Sequence, residues 1–314
     1  MIFPIVPGDF NELKRRPSLT LAWSVLALNV FIYLIILMSY EPWPHRNIQL
    51  MLMDEKVLSS VYEMYIQTLD PIEKQNLSSN RNLVFVRALK DQNFWARVSD
   101  YPFVGDQLQI KKNRKLIVNF YESYFKSPQY YFGLSSNEAS PWSWVTYQFV
   151  HISLMHLLGN VILIFLMISY LEKTVPSEWI AMTYLFSGFA GGISFLFFDH
   201  LSGISVIGGS ASVSGLFGFL LITQTGRLMP WGFWIGPNQN GFGHIYLPVF
   251  FIFPMFLVLD FISLLWEPTG VVSNVAVSAH VGGALMGLIM GFYYLLFLRG
   301  ESAAHHVFGY HDRL

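Results

Sequence analysis

The sequence predicts an all-α polytopic membrane protein, a six-transmembrane-helix bundle with a long extracytoplasmic insertion between helices 1 and 2. Three observations carry this. Of the 314 residues, 53% are hydrophobic and 12% charged, against about 25% charged in ordinary soluble domains, and mean hydropathy is +0.43. The charges gather between residues 41 and 140 and leave long uncharged runs elsewhere. Several of those runs reach the roughly 20 apolar residues that a helix needs to cross a bilayer: 19–39, 144–169, 178–198, 205–225, 246–266 and 277–298.

Taken in order, residues 1–18 form a short cytoplasmic N-terminus. The run 19–39 is too long for a signal-peptide core and no Ala-x-Ala site follows it, so it reads as an uncleaved first span. Residues 40–143 are the extracytoplasmic insertion. Its amphipathic stretches, Val57–Leu69, Asn82–Val98 and Leu116–Phe125, predict a small, partly helical subdomain. Trp95, Tyr121 and Phe125 are placed to lie on the bilayer surface. Residues 144–298 hold spans 2 to 6, and residues 299–314 form a cytoplasmic tail. Lys14, Arg15, Arg16, Lys173, Arg227, Arg299 and Arg313 fall on the side shared by both termini and the short loops after spans 2 and 4. The short loops after spans 3 and 5 hold no Lys or Arg. The positive-inside rule therefore places both termini in the cytoplasm. The other basic residues lie in the insertion, which is long enough to translocate regardless of charge.

Composition also excludes. A net charge of −1 gives no reason to expect nucleic acid, and the absence of cysteine removes disulfides, thiolate nucleophiles and Cys-ligated metals. His-Glu-x-x-His, the zinc-protease motif, is missing. Asp260 is the one acidic residue well inside a span, where a paired-aspartate enzyme needs two. No metal and no cofactor is expected. His305, His306 and His311 read as solvated residues of the tail. Nothing in the sequence encodes an oligomeric state.

Ionisable groups within membrane spans are costly and therefore usually functional. Here they are His151, His156, Asp260 and His280, with Asn160 as a costly amide; Asp199 and His200 sit at a span end. Ser210 lies about five residues into span 4 from the outer face, roughly 8 Å deep at 1.5 Å per residue. His280 enters span 6 from the same face at a similar depth. His156 and Asn160 are spaced i, i+4 and share one helix face. Gly208 and Gly209 let the chain bend into span 4, so that Ser210 sits near a helix N-terminus whose free N–H groups can face a developing oxyanion. Gly215 and Gly218 face the spacing Gly283-x-x-x-Gly287-x-x-x-Gly291, and small residues at such spacing allow two helices to approach closely. Ser212 and Ser214 compete for the nucleophile's role, but neither follows a Gly-Gly pair.

These residues resemble the rhomboid family of intramembrane serine proteases. The resemblance rests on His151-Ile-Ser-Leu-Met-His156-Leu-Leu-Gly-Asn160 in span 2, preceded by Trp144-Val-Thr-Tyr-Gln-Phe-Val; on Gly208-Gly209-Ser210 in span 4; and on Ala279-His280-Val-Gly-Gly283-Ala-Leu-Met-Gly287 in span 6. It covers about residues 132–298, and span 1 more loosely. It implies a Ser–His dyad with Ser210 as nucleophile and His280 as base, and an oxyanion site from His156, Asn160 and the Ser210 N–H. His151, Gly208, Gly209, Gly283 and Gly287 would support it. It implies transmembrane protein substrates cut near the outer face of the lipid bilayer, with span 5 and residues 267–276 as a mobile gate. No Arg-rich, acid-poor leader marks an organelle import signal, so a bacterial inner membrane is the expected location. The sequence departs from the family pattern at Ala211, where Gly is common, and at Ser214, where some members carry an aromatic. The Trp-Arg element of the first outer loop is absent.

Two other readings compete. A transporter would use Asp260, with Pro254 preceding it in span 5, but Asp260 has no charged partner and the spans show no two-half repeat. A catalytically inactive rhomboid-like protein would bind membrane helices without cutting them; the presence of both Ser210 and His280 argues against it.

Overall fold

The computed structural model describes residues 2–4, 20–39, 54–77, 81–135, 140–151, 153–198, 205–234, 242–249 and 274–308. The fold is predominantly helical. Among the described residues, four helices are long and apolar enough to cross a membrane, at 20–39, 154–171, 177–198 and 277–297.

The first, α1 (Thr20–Ser39), is almost uniformly apolar. Its unpaired N-terminal N–H groups meet a carboxylate: Leu21 N–H and Ala22 N–H donate to the two oxygens of Glu172 at 3.1 and 3.4 Å. An anion at a helix N-terminus satisfies those donors and opposes the helix dipole. Glu172 ends the next long helix, so the start of one and the end of the other lie at one end of the bundle.

The segment that follows folds as a run of short helices: α2 (Glu55–Tyr65), α3 (Pro71–Leu77), α4 (Arg81–Lys90), α5 (Gln92–Arg97), α6 (Gln107–Phe125) and α7 (Pro128–Phe132). Asp54, Asp91, Asp106 and Ser127 each cap a helix start through the side chain, as short polar residues do at N-caps. Asp91 also ends the helix before it, which splits the stretch 82–98 in two. The apolar faces of α2, α4, α5 and α6 meet in one cluster that includes Val61, Phe85, Trp95, Phe120 and Tyr124. Trp95 is therefore a core residue and does not lie on a bilayer surface. Its indole N–H donates to Ala88 O at 2.7 Å and its ring stacks on Tyr121 at 5.2 Å. The expectation fails because an aromatic on an amphipathic helix serves a protein core and a lipid surface equally well.

The second predicted span starts later than expected. The described residues of 144–153 are not a continuous helix: a single turn, α8 (Ser143–Thr146), gives way to turns at 147–149 and irregular chain at 150–151. The membrane helix is α9 (Leu154–Leu171), with the Ser153 side chain accepting from His156 N–H. The residues upstream line the bundle interior: the Tyr147 ring and the Gln148 amide are fully buried. The third span, α10 (Ser177–Phe198), follows Pro176. The fourth predicted span holds a shorter apolar helix, α11 (Ser210–Thr223), which is not one of the four long helices. Its 14 residues rise only about 21 Å against a hydrocarbon core of roughly 30 Å. Residues 205–207 run extended before it, and Val206 forms an isolated bridge with Leu134.

The predicted fifth span falls partly on a strand. Residues 246–248 belong to β3 (Phe242–Pro248), which pairs antiparallel with β2 (Leu228–Trp234), Trp231 opposite Ile245; β2 also pairs with β1 (Ile2–Pro4). Residues 250–266, with Pro254 and Asp260, lie outside the described residues, as do the proposed gate up to 273, Asp199, His200 and His311. The last helix, α12 (Asn274–Phe308), continues past the predicted limit of 298 into the tail.

Candidate active site

α11 is the most enclosed helix: Ala211 to Leu220 are all buried. It packs against both α10 and α12, which also pack on each other, and glycine faces let all three close in. A methyl on Gly283 would overlap the Ala211 carbonyl, one on Gly287 the Gly215 carbonyl, and one on Gly218 the Ala284 carbonyl. A methyl on Gly191 of α10 would lie 2.5 Å from Ala211 Cβ and 2.7 Å from Ala279 O. Gly191 is thus the common neighbour of the residue after Ser210 and the residue before His280. The Ala211 methyl occupies the space that Gly191 leaves, so it points to α10. The buried His280 stands one helical turn before Gly283.

Ser210 is the first residue of α11. Gly209 caps it without a side-chain hydrogen bond, so no capping side chain takes the N–H groups of the first turn. Gly208 has φ +113°, a conformation that L side chains avoid, and its N–H donates to Tyr147 O at 2.7 Å. The side of Gly208 that lacks a Cβ faces α9. A methyl there would lie 2.8 and 2.9 Å from His156 Cε1 and Nε2 and 3.7 Å from Asn160 Nδ2. The turn into Ser210, the His156 ring and the Asn160 amide therefore share one small space. Asn160 spends one N–H on His156 O at 3.0 Å and retains a second.

His151 is not on the membrane helix. It is buried in the irregular chain before α9, its ring edge-on to that of His156 at 5.2 Å. Its Nδ1 lies 3.1 Å from Phe149 O. A carbonyl only accepts, so Nδ1 carries the proton. The remaining serines are engaged: Ser212 Oγ donates to Gln148 Oε1 at 3.0 Å, and Ser214 Oγ to Ser210 O at 2.9 Å.

The Rhomboid domain matches residues 138–297. The chain belongs to the rhomboid family. Comparison with curated proteins gives no match. The rhomboid match takes in α8 to α12 and begins after α1 and the helical segment 54–135. Within that rhomboid core, Gln148 has a role that its place in the lead-in Trp144-Val-Thr-Tyr-Gln-Phe-Val does not reveal. It is fully buried, faces Gly188 closely and accepts from Ser212. An amide inside an apolar run must find a partner and is a signal at Gln148 as it is at Asn160. Tyr147 of the same lead-in donates its hydroxyl to Gly188 O, a partner that its residue type alone does not foretell.

Proposed function

We propose that this chain is an intramembrane serine endopeptidase that cuts transmembrane-helix substrates through a Ser210–His280 dyad. The observation that carries this is the position of Ser210: at the start of α11, with no side chain capping the helix, beside a turn whose open side is lined by His156 and Asn160. His280 takes the Ser210 proton as the hydroxyl adds to the scissile carbonyl. The oxyanion meets Asn160, His156 and the Ser210 N–H. Collapse of the tetrahedral species breaks the C–N bond, and His280 returns its proton to the leaving amine. Water then adds to the Ser210 ester, again giving its proton to His280, and the ester bond breaks as His280 returns that proton to Ser210 Oγ, which releases the acid and restores the dyad. Burial among apolar helices makes preorganised donors worth more than in water. The short α11 and the polar residues at one end of the bundle support entry from the extracytoplasmic side. Both termini are then cytoplasmic, in a bacterial inner membrane.

Replacing Ser210 by Ala lowers cleavage of a reporter transmembrane substrate about 10³-fold or more, His280→Ala does the same, and the double variant is no worse than either, since groups that act as a unit are non-additive. Ser214→Ala retains activity, because that hydroxyl is spent on the Ser210 carbonyl. Cleavage by folded Ser210→Ala at the wild-type rate would sink the reading.

A further inference from the structure

Three residues, Ser205 to Ile207, lead into the Gly208 turn, and their support comes from outside the rhomboid match. Ser205 N–H donates to Tyr124 Oη at 3.3 Å, and Gln129 Nε2–H donates to Ser205 O at 3.0 Å. Val206 exchanges both backbone bonds with Leu134, at 3.0 and 2.9 Å. Gly133 leaves room for this strand: a methyl on it would lie 2.7 Å from Ser205 Cβ and 2.9 Å from Ile207 Cγ2. Ile207 belongs to the same apolar cluster as Phe120 and Tyr124. The clamp itself is rigid. Tyr124 is 1% exposed and stacks on Phe120 at 5.7 Å with a 6° interplanar angle, and Gln129 is 5% exposed.

We infer that Tyr124 and Gln129 are positioning residues for Ser210: by gripping both polar groups of the Ser205 peptide they set the register of the strand from which the nucleophile's turn springs, so that the helical segment 54–135 is a structural arm of the active site. The inference rests on the reading of Ser210 as nucleophile. The physical link is short. A three-residue connection, bridged to Leu134 at its middle residue, has little slack. Gly208 is held by its N–H to Tyr147 O and by the closeness of the His156 ring. A shift of the Ser205 peptide therefore passes to Gly208 and to the first turn of α11. Burial pushes the Tyr124 phenol up to about 12, so it stays protonated at physiological pH.

The test uses the full-length protein in detergent, with Tyr124→Phe, which keeps the stacked ring, Gln129→Met, which keeps the volume, and Tyr131→Phe, an exposed neighbour on α7, as control. Labelling of Ser210 by a fluorophosphonate reads the nucleophile without a substrate helix, and hydrogen exchange of residues 205–208 reads the strand. Each clamp variant is expected to label about 5- to 10-fold more slowly, the size of one lost buried hydrogen bond expressed as a rate. kcat for a reporter substrate falls by the same factor, KM stays within about twofold, and exchange at 205–208 rises. The control matches wild type. Clamp variants that melt at lower temperature yet label and exchange like wild type would make Tyr124 and Gln129 purely structural and overturn the inference. Wild-type protein that fails to label at Ser210 would instead overturn the reading of the site on which it rests.

Discussion

Gly208 shows how much of the site depends on an absent side chain. Its φ of +113° and its closeness to the His156 ring leave no place for a Cβ. Gly208→Ala should cost about 1–3 kcal/mol in backbone strain and displace the imidazole. Ser210 labelling then falls about tenfold or more, since each 1.4 kcal/mol in a barrier is tenfold. An alanine variant that labels normally would mean that this turn does not set the nucleophile. Asn160→Ala tests the other wall. Removing one oxyanion donor costs about 3–4 kcal/mol of barrier, so kcat falls by two to three orders of magnitude. KM changes little, because the interaction forms only as charge develops. At this scale the sequence is most legible where a polar residue stands alone in an apolar run, as with His156, Asn160 and His280. It is least legible where a residue works through its backbone, as with Tyr147, whose carbonyl holds the Gly208 N–H.

Among the helices, the crossing of α11 and α12 is set by glycines that have no space to grow. The Gly287 position lies against the Gly215 carbonyl. Gly287→Ala should part the two helices at a cost of about 1–3 kcal/mol, the usual range for overpacking, and lower activity by moving His280 relative to Ser210. Gly159 on α9 is the contrast: nothing lies within 4 Å of a methyl there. Gly159→Ala should raise the melting temperature slightly, since alanine gains about 0.5–1 kcal/mol in a helix interior. Equal tolerance at the two positions, measured by thermal melting and cleavage, would contradict the close-packed crossing. The same contrast explains which elements are legible. α1 and α10 follow their apolar runs within a residue, because their length is dictated by lipid. The runs at 144–169 and 205–225 start with residues that pack around the site, and there hydrophobicity marks burial in irregular chain. The strands have no such periodic run, and β3 shares its apolar residues with what reads as the start of a span.

On the scale of the whole molecule, the apolar cluster of segment 54–135 does not stop at its own helices. It includes Ile36 of α1, Val150 beside His151, and Ile207 beside Gly208. Amphipathic faces make this segment's helical character legible, at 57–69, 82–98 and 116–125; its attachment is not, because no local pattern tells Val150 or Ile207 which distant residue will cover it. A shared core implies shared opening. Trp95 lies in the middle of that core, stacked on Tyr121 and bonded to Ala88 O. Trp95→Ala removes a large buried side chain, at a cost of about 3–5 kcal/mol. The loss falls on a cooperative unit, so hydrogen exchange should accelerate in α4 to α6 and, by the same factor, at residues 205–208. α10 packs mainly on α11 and α12 and touches the segment at Leu134, through Gly192 and Phe195; away from that contact it should exchange as in wild type. If the segment loosened while 205–208 kept its protection, the cluster would be two cores in contact, and the site would stand without the segment that precedes the rhomboid core.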